Sequence, residues 1–207
     1  MKSVILGIAG GSGSGKTTLA NSILHLLGGG KACIIQQDNY YRDNSHIPIE
    51  LRSNLNYDRI EAIDNARFEK DIRAIASGNT IQIPIYDFST HTRSCHINEI
   101  TPKKIVILEG ILLLCEEKVR QLIQLKIFVE TDDDLRFIRR LRRDIIERGR
   151  DLSSSIEQYL STVKPMHDSV VEPSKKYADI VVSGVSEIDK AAKEIVNRIG
   201  KLNLSPA

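Results

Sequence analysis

Directly behind an apolar run, Val4–Ala9, the sequence reads GGSGSGKTT from Gly10 to Thr18. No other stretch limits the fold as tightly. Gly10, Gly15, Lys16 and Thr17 fill the pattern GxxxxGK[ST], in which small residues let successive backbone N–H groups turn inward onto an anion. The apolar run reads as a strand and the residues after the loop as a helix, whose positive dipole end strengthens the cradle. In such a loop the lysine reaches the β and γ phosphates of a nucleotide and the threonine hydroxyl can ligate Mg²⁺. The expected phosphate-binding residues are therefore Gly10, Gly11, Ser12, Gly13, Ser14, Gly15, Lys16, Thr17 and Thr18. A flexible Gly/Ser connection is the bland alternative.

Apolar runs at 32–36, 105–108, 125–129 and 179–182 read as further buried strands. Helical spacing covers 18–27, 65–76, 132–149, 154–171 and 187–200, with Gly28–Gly30 and Gly78 closing the first two. Alternating strands and helices imply an α/β fold with a mostly parallel sheet and right-handed crossovers. IQIPIYDF and CHINEI can pair as a hairpin around polar residues 89–94. Residues 38–64 show no clear period but carry QDNYYRDN and NYDRIEAID, a tyrosine-bearing loop of the kind that holds function. One domain over 1–207 is expected, with a hairpin insertion at about 80–101 and an Arg-rich lid at about 140–158.

The balance of 29 Lys and Arg against 27 Asp and Glu argues against a general nucleic-acid or membrane-surface protein, so any charge specialisation must be local. Cys33, Cys95 and Cys115 lie far apart with no CxxC pair, which fits neither a disulfide framework nor a zinc site. Reduced thiols and a cytoplasmic protein are the default expectation. The apolar start runs straight into the loop without a small-residue cleavage site, and no run is long enough to span a bilayer.

In an open parallel sheet the ligand lies beyond the carboxyl ends of the strands. Asp38 follows the second strand, where a carboxylate can accept the proton of an attacking hydroxyl and help hold the metal shell; a turn or helix-capping role is the alternative. Glu109 interrupts IVILEGILLL, and a charge in such a run needs a paired, solvated or metal-bound environment. Gly110 behind it allows close backbone approach. On the helix around Leu135–Ile146, Phe137, Ile138, Leu141 and Ile145 fall on one side and Arg136, Arg139, Arg140 and Arg143 on the other. Like charges at that spacing repel, so an anion such as a triphosphate is the expected partner, with a solvated face or nucleic acid as alternatives. Arg148 and Arg150 continue the basic stretch into a candidate mobile lid. Asp58, Tyr86, Phe88 and His91 offer what a sugar-plus-base ligand requires: a carboxylate for hydroxyls, rings to stack and an imidazole for a base edge.

GGSGSGKTT, QDNYY, NYDRIEAID, PIYDFSTHTR, IVILEGIL, RRLRRDIIERGRD, QYLSTVKP and EPSKKYADI occur in an order and spacing that resemble the uridine kinases, or uridine-cytidine kinases, over Val4 to about Val182. The resemblance implies a P-loop NTPase fold and Mg²⁺-dependent transfer of the γ-phosphate of ATP or GTP to the 5′-hydroxyl of uridine or cytidine in pyrimidine salvage. It implies Asp38 as general base, with Lys16 and Arg143 at the chemistry, and Asp58 as the ribose carboxylate with Tyr57 beside it. Tyr86 and His91 match the residues that recognise the pyrimidine, with Tyr41 and Phe88 lining the pocket. Arg140, Arg143 and Gln158 match substrate and phosphate contacts, and Thr17, Asp38 and Glu109 the Mg²⁺ environment. A homotetramer is implied, without nucleic-acid or membrane partners. Arg59 and Ile60 stand where the family usually has His-Pro, and VVSGVSEID replaces its usual PRG turn. Another P-loop small-molecule kinase, acting on a sugar phosphate or pantothenate, is the rival reading. A nucleotide-dependent switch is disfavoured, because the chain contains neither NKxD nor DxxG.

Overall fold

The central strands are apolar on both sides because both sides are covered. In the computed structural model, which describes residues 2–52, 55–185 and 187–202, alternate residues of strand β1 (Val4–Ala9) enter two different cores. Ile5 and Ala9 join Phe68, Ile72 and Val106 on one side, while Leu6 and Ile8 join Leu19, Ile23 and Ile195 on the other. This is the period-2 signature of a strand buried on both faces.

Helix α1 (Lys16–Leu27) follows β1, then strand β2 (Ala32–Gln36), a 3-10 turn (Gln37–Tyr40) and short helix α2 (Ile49–Arg52). After helix α3 (Asn65–Ala76) come strands β3 (Ile81–Asp87), β4 (Thr92–Ile100) and β5 (Ile105–Glu109), helix α4 (Glu117–Arg120) and strand β6 (Leu125–Glu130). Helices α5 (Asp133–Ile146), α6 (Leu152–Gln158) and α7 (Lys164–Met166), strand β7 (Ile180–Ser183) and helix α8 (Ile188–Leu202) complete the chain. The main sheet has the order β2-β5-β1-β6-β7, and every pairing in it is parallel. β1 therefore lies at its centre, and the loop behind β1 emerges at the carboxyl edge, where such sheets bind ligands. β3 and β4 form a separate antiparallel hairpin.

Three boundaries differ from the sequence expectation. β4 starts at Thr92 rather than near Cys95, since Arg93 is drawn into the ladder opposite Tyr86 and anchored by the carbonyls of Tyr40 and Tyr41 and by Asp64. α5 stops at Ile146, and the chain turns through Gly149 at φ 61, a left-handed conformation that glycine adopts without strain. The helical segment from Leu152 to Tyr177 changes type along its length, with π-turns at Tyr159–Val163 and His167–Val171 and a 3-10 end at Glu172–Tyr177. Pro165 and Pro173 lack the N–H that an uninterrupted i→i−4 ladder requires. Among the described residues, no helix is long and apolar enough to cross a membrane.

Candidate active site

The phosphate loop is built by positive-φ glycine conformations that residues with a side chain rarely adopt. Gly13 has φ +80, and a Cβ there would fall 2.3 Å from the Arg136 carbonyl oxygen. Helix α1 starts behind Gly15 with no side-chain cap and no acidic residue in its first turn, so its free N–H groups remain available to an anion. Gly13→Ala is accordingly expected to abolish nucleotide binding and to lower the unfolding midpoint by several degrees, at about 2–4 °C per kcal/mol of strain. Nucleotide titration and calorimetry check this; unchanged binding would show that the loop does not need the glycine.

Beside the loop lies a cavity that draws together distant parts of the chain. It is lined by Ser12, Lys16, Asp38, Tyr41, Tyr57, Asp58, Tyr86, Phe88, His91, Arg140, Arg143, Arg148, Arg150 and Gln158, all singled out from sequence, together with Ile111. Gly10, Gly11, Gly13, Ser14, Gly15, Thr17 and Thr18 form the loop and first turn beside it. Glu109 lies behind Lys16, with Oε1 3.6 Å from the lysine Nζ in a buried pair. Five cations line the cavity against two carboxylates, Asp38 and Asp58, which suits an anionic ligand in a nearly neutral chain.

Asp38 sits in the 3-10 turn that ends β2, half-buried. Asp58 is buried, and desolvation raises its pKa while Arg140 pulls it back. Burial likewise raises that of Glu109, opposed by Lys16 and reinforced by Asp38. Thr17, Asp38 and Glu109 make an all-oxygen donor set, which suits a hard divalent cation such as Mg²⁺, and a cation there relieves the repulsion between the two carboxylates. Gln37 is wholly buried and accepts from the Leu112 N–H at 3.0 Å; its side chain fills the space where a Cβ on Gly110 would stand.

One wall is aromatic. Tyr41 meets Tyr86 at 5.2 Å and Tyr57 edge-on at 5.6 Å, and Phe88 meets Tyr86 at 5.3 Å. Tyr40, its neighbour in sequence, instead packs on Phe68 in the core and donates to Asp71. His91, at φ 54 in the hairpin turn, stacks on Tyr57 at 4.7 Å. A guanidinium has no acceptor, so the 3.1 Å contact from Arg150 makes His91 Nε2 the acceptor and leaves the ring proton on Nδ1. Burial, followed by Arg150 and Arg148, lowers the His91 pKa to about 4, and its Nδ1 is buried without a hydrogen-bond partner among the described residues.

α5 is oriented by its arginines. Arg136 and Arg140 are buried, whereas Ile138 is 59% exposed and Ile146 70%. Of the arginines for which the sequence offered an anion or a solvated face, only some turn to the cavity. Arg136 bonds the Thr131 carbonyl and Asp133 behind the loop, and Arg139 donates to the Gly184 carbonyl at 3.0 Å. Arg140 and Arg143 do face the cavity, and both donate to Ser12 Oγ, at 3.1 and 3.3 Å. Beyond α5 the chain packs on the cavity: Arg148 lies 4.2 Å over the Phe88 ring, and Arg150 donates to Gln158 Oε1 at 2.7 Å. Burial, with Arg143 second, lowers the Arg148 pKa to about 10.

Sequence reasoning overlooked Asp144, Ile111 and the buttressing pair Arg93–Asp64. A lone Asp inside an arginine-rich helix carries no signal until its burial is known. Of the two departures from the family pattern, Arg59 is exposed and pairs with Glu61, while Ile60 packs against the core. In the turn after β7, the Gly184 carbonyl holds Arg139, and Ser186 lies outside the described residues.

Residues 5–191 match the Phosphoribulokinase / Uridine kinase family. A uridine kinase of Ligilactobacillus salivarius is 47% identical over 198 residues, covering 96% of this chain and 93% of the relative. One from Streptococcus equi subsp. zooepidemicus is 45% identical, covering 97% and 99%. The fold is shared with the phosphoribulokinase from Rhodobacter spheroides, with a TM-score of 0.64 at 17% identity over 88% of this chain and 70% of that one. With the motif in its structural context and near-full-length identity of this order, the chain belongs to the phosphoribulokinase and uridine kinase family.

Proposed function

We propose that the chain is a uridine/cytidine kinase that transfers the γ-phosphoryl group of ATP or GTP to the 5′-hydroxyl, giving UMP or CMP. The observation that carries this reading is the cavity itself, which brings two carboxylates and five ring side chains together with a lysine and four arginines beside the start of α1. Rings stack on a base, a buried carboxylate accepts from ribose hydroxyls, and cations with helix N–H groups hold phosphates. A phosphorylated sugar would not use the wall of Tyr57, Tyr86, Phe88 and His91, so this wall favours a nucleoside.

In this reading the N–H groups of Gly10–Thr18 and the Lys16 ammonium hold the donor phosphates. Asp58 and Tyr57 hold the ribose, Tyr86 and His91 meet the pyrimidine, and Tyr41 and Phe88 close the walls. Asp38 accepts the proton of the 5′-hydroxyl while its oxygen bonds to phosphorus and the bond to the β-phosphate oxygen breaks. Arg140, steadied by Gln158, and Arg143 meet the charge of the moving phosphoryl group. Thr17, Asp38 and Glu109 would hold Mg²⁺, which when bound neutralises phosphate charge. The reading also carries a cytoplasmic homotetramer, which light scattering reads directly.

A coupled assay with Mg·ATP and Mg·GTP against uridine, cytidine, sugar phosphates and pantothenate tests the proposal. Turnover of the pyrimidine nucleosides alone is expected, and none with uridine or cytidine would sink it. His91→Ala is expected to raise the nucleoside KM about 10- to 100-fold, the value of a lost buried hydrogen bond, while the ATP KM changes less than about threefold. An unchanged nucleoside profile would remove His91 from recognition. Folded His91 takes its proton only near pH 4, whereas the ordinary ring takes it near 6.5. Its contribution to stability is therefore complete above pH 6.5 and is lost as pH falls toward 4. NMR titration of the ring checks this, and a midpoint above 6 would contradict it.

A further inference from the structure

Asp144 lies on α5 four residues after Arg140, so helical spacing sets these two on one side, and Arg148 follows just past the end of the helix. Its side chain is wholly buried, yet it does not line the cavity. Oδ1 accepts from Arg143 Nε at 3.3 Å and from its terminal nitrogen at 3.2 Å, and from Arg148 at 3.3 Å. Arg140 Nε stands 3.3 Å from Oδ2. A carboxylate removed from water persists only where cations surround it. Here those cations are the ones that face the cavity. The same residue also fastens the chain beyond the helix, because the Arg150 N–H donates to the Asp144 carbonyl at 2.9 Å. Without a shared anion, guanidiniums this close repel one another, and their long side chains turn outward to water.

We propose that Asp144 is a positioning residue: its carboxylate gathers Arg140, Arg143 and Arg148 into one array and, through Arg148, ties the chain beyond α5 to the helix, so that the array exists before an anionic donor arrives. Asp144 acts through these arginines and touches no reacting group. The kinetic part of this inference rests on the kinase reading; the structural part does not.

Two measurements on the full chain decide it. In the ligand-free Asp144→Asn variant, amide hydrogen exchange across 143–151 is expected to rise at least about tenfold while β1 and β5 remain protected. Unchanged exchange, or a uniform rise over the whole fold, would overturn the proposal. With uridine and Mg·ATP, Asp144→Asn is expected to lower kcat about 10- to 100-fold with the ATP KM within about threefold. In an Arg143→Met background the same substitution should cost less than about threefold more, since the two effects share one route; full additivity would assign Asp144 a merely structural part. If the wild-type chain fails to turn over uridine, the kinase reading fails and the exchange result alone decides for Asp144. If Asp144→Asn does not fold, Arg148→Met reads the same link from its other end: exchange across 147–151 should rise, and unchanged protection there would overturn the link.

Discussion

Asp38→Asn is expected to lower kcat by about 10²- to 10⁴-fold, the range of a lost general base, while the affinity for the nucleotide donor stays within a few-fold. The substitution keeps the shape of the side chain in the turn behind β2 and removes only the capacity to take up a proton. The geometry makes the expectation specific. Asp38 lines the same cavity as Lys16, Asp58 and Arg143, so it stands between the phosphate end and the nucleoside end of the proposed site. Rapid-quench measurement of a single turnover, set against equilibrium binding of ATP, separates the chemical step from binding. Near-normal turnover would remove Asp38 as the base, and a fall in donor affinity equal to the fall in rate would make it a binding residue instead.

Lys16→Met is expected to cost at least about 10³-fold in kcat/KM through lost phosphate charge stabilisation, and it should also weaken the fold. Lys16 and Glu109 form a buried pair at 3.6 Å, and removing one partner of such a pair costs about 3–5 kcal/mol by stranding the other. Burial already raises the Glu109 pKa, and losing Lys16 raises it further. The folded variant then binds a proton that the unfolded chain has released, so its stability falls as pH rises above the ordinary carboxylate range. The defect in melting midpoint should be larger at pH 8 than at pH 5. Lys16→Met combined with Glu109→Gln should recover the midpoint but not the turnover. A pH-independent defect, or turnover restored in the double variant, would contradict this assignment.

Much of the fold was legible because its signals are local. A strand covered on both faces must be apolar throughout, which set β1, β5 and β6 within a residue of their observed ends. The phosphate loop needs left-handed backbone at Gly13 and Gly15, and that requirement is written in the residues themselves. The polar, tyrosine-bearing stretch without a period proved to be cavity wall, since Tyr41, Tyr57 and Asp58 all line it, with Tyr86 and His91 added from the hairpin. Legibility failed where identical residue types part company. Tyr40 and Tyr41 are neighbours, yet one packs in the core and the other in the cavity, because a 3-10 turn separates their directions.

The residues by themselves determined that a phosphate cradle follows a buried strand in a parallel α/β sheet, since each of those demands is met within a few positions of the chain. Only the tertiary structure decided which way α5 faces. Amphipathicity alone divides that helix into an apolar and an arginine side without saying which residues are covered, and here Arg136 and Arg140 are buried while Ile138, Arg139 and Ile146 are exposed. Its partners come from far along the chain: Ser12 lies 128 positions before Arg140, and the two meet because the sheet order sets β1 directly beside β6, from whose end α5 begins. A buried charge is stable only beside its counter-charges and hydrogen-bond partners. Those partners are supplied by topology, and so the role of the arginine helix, and of Asp144 within it, could be read only after the chain had been folded.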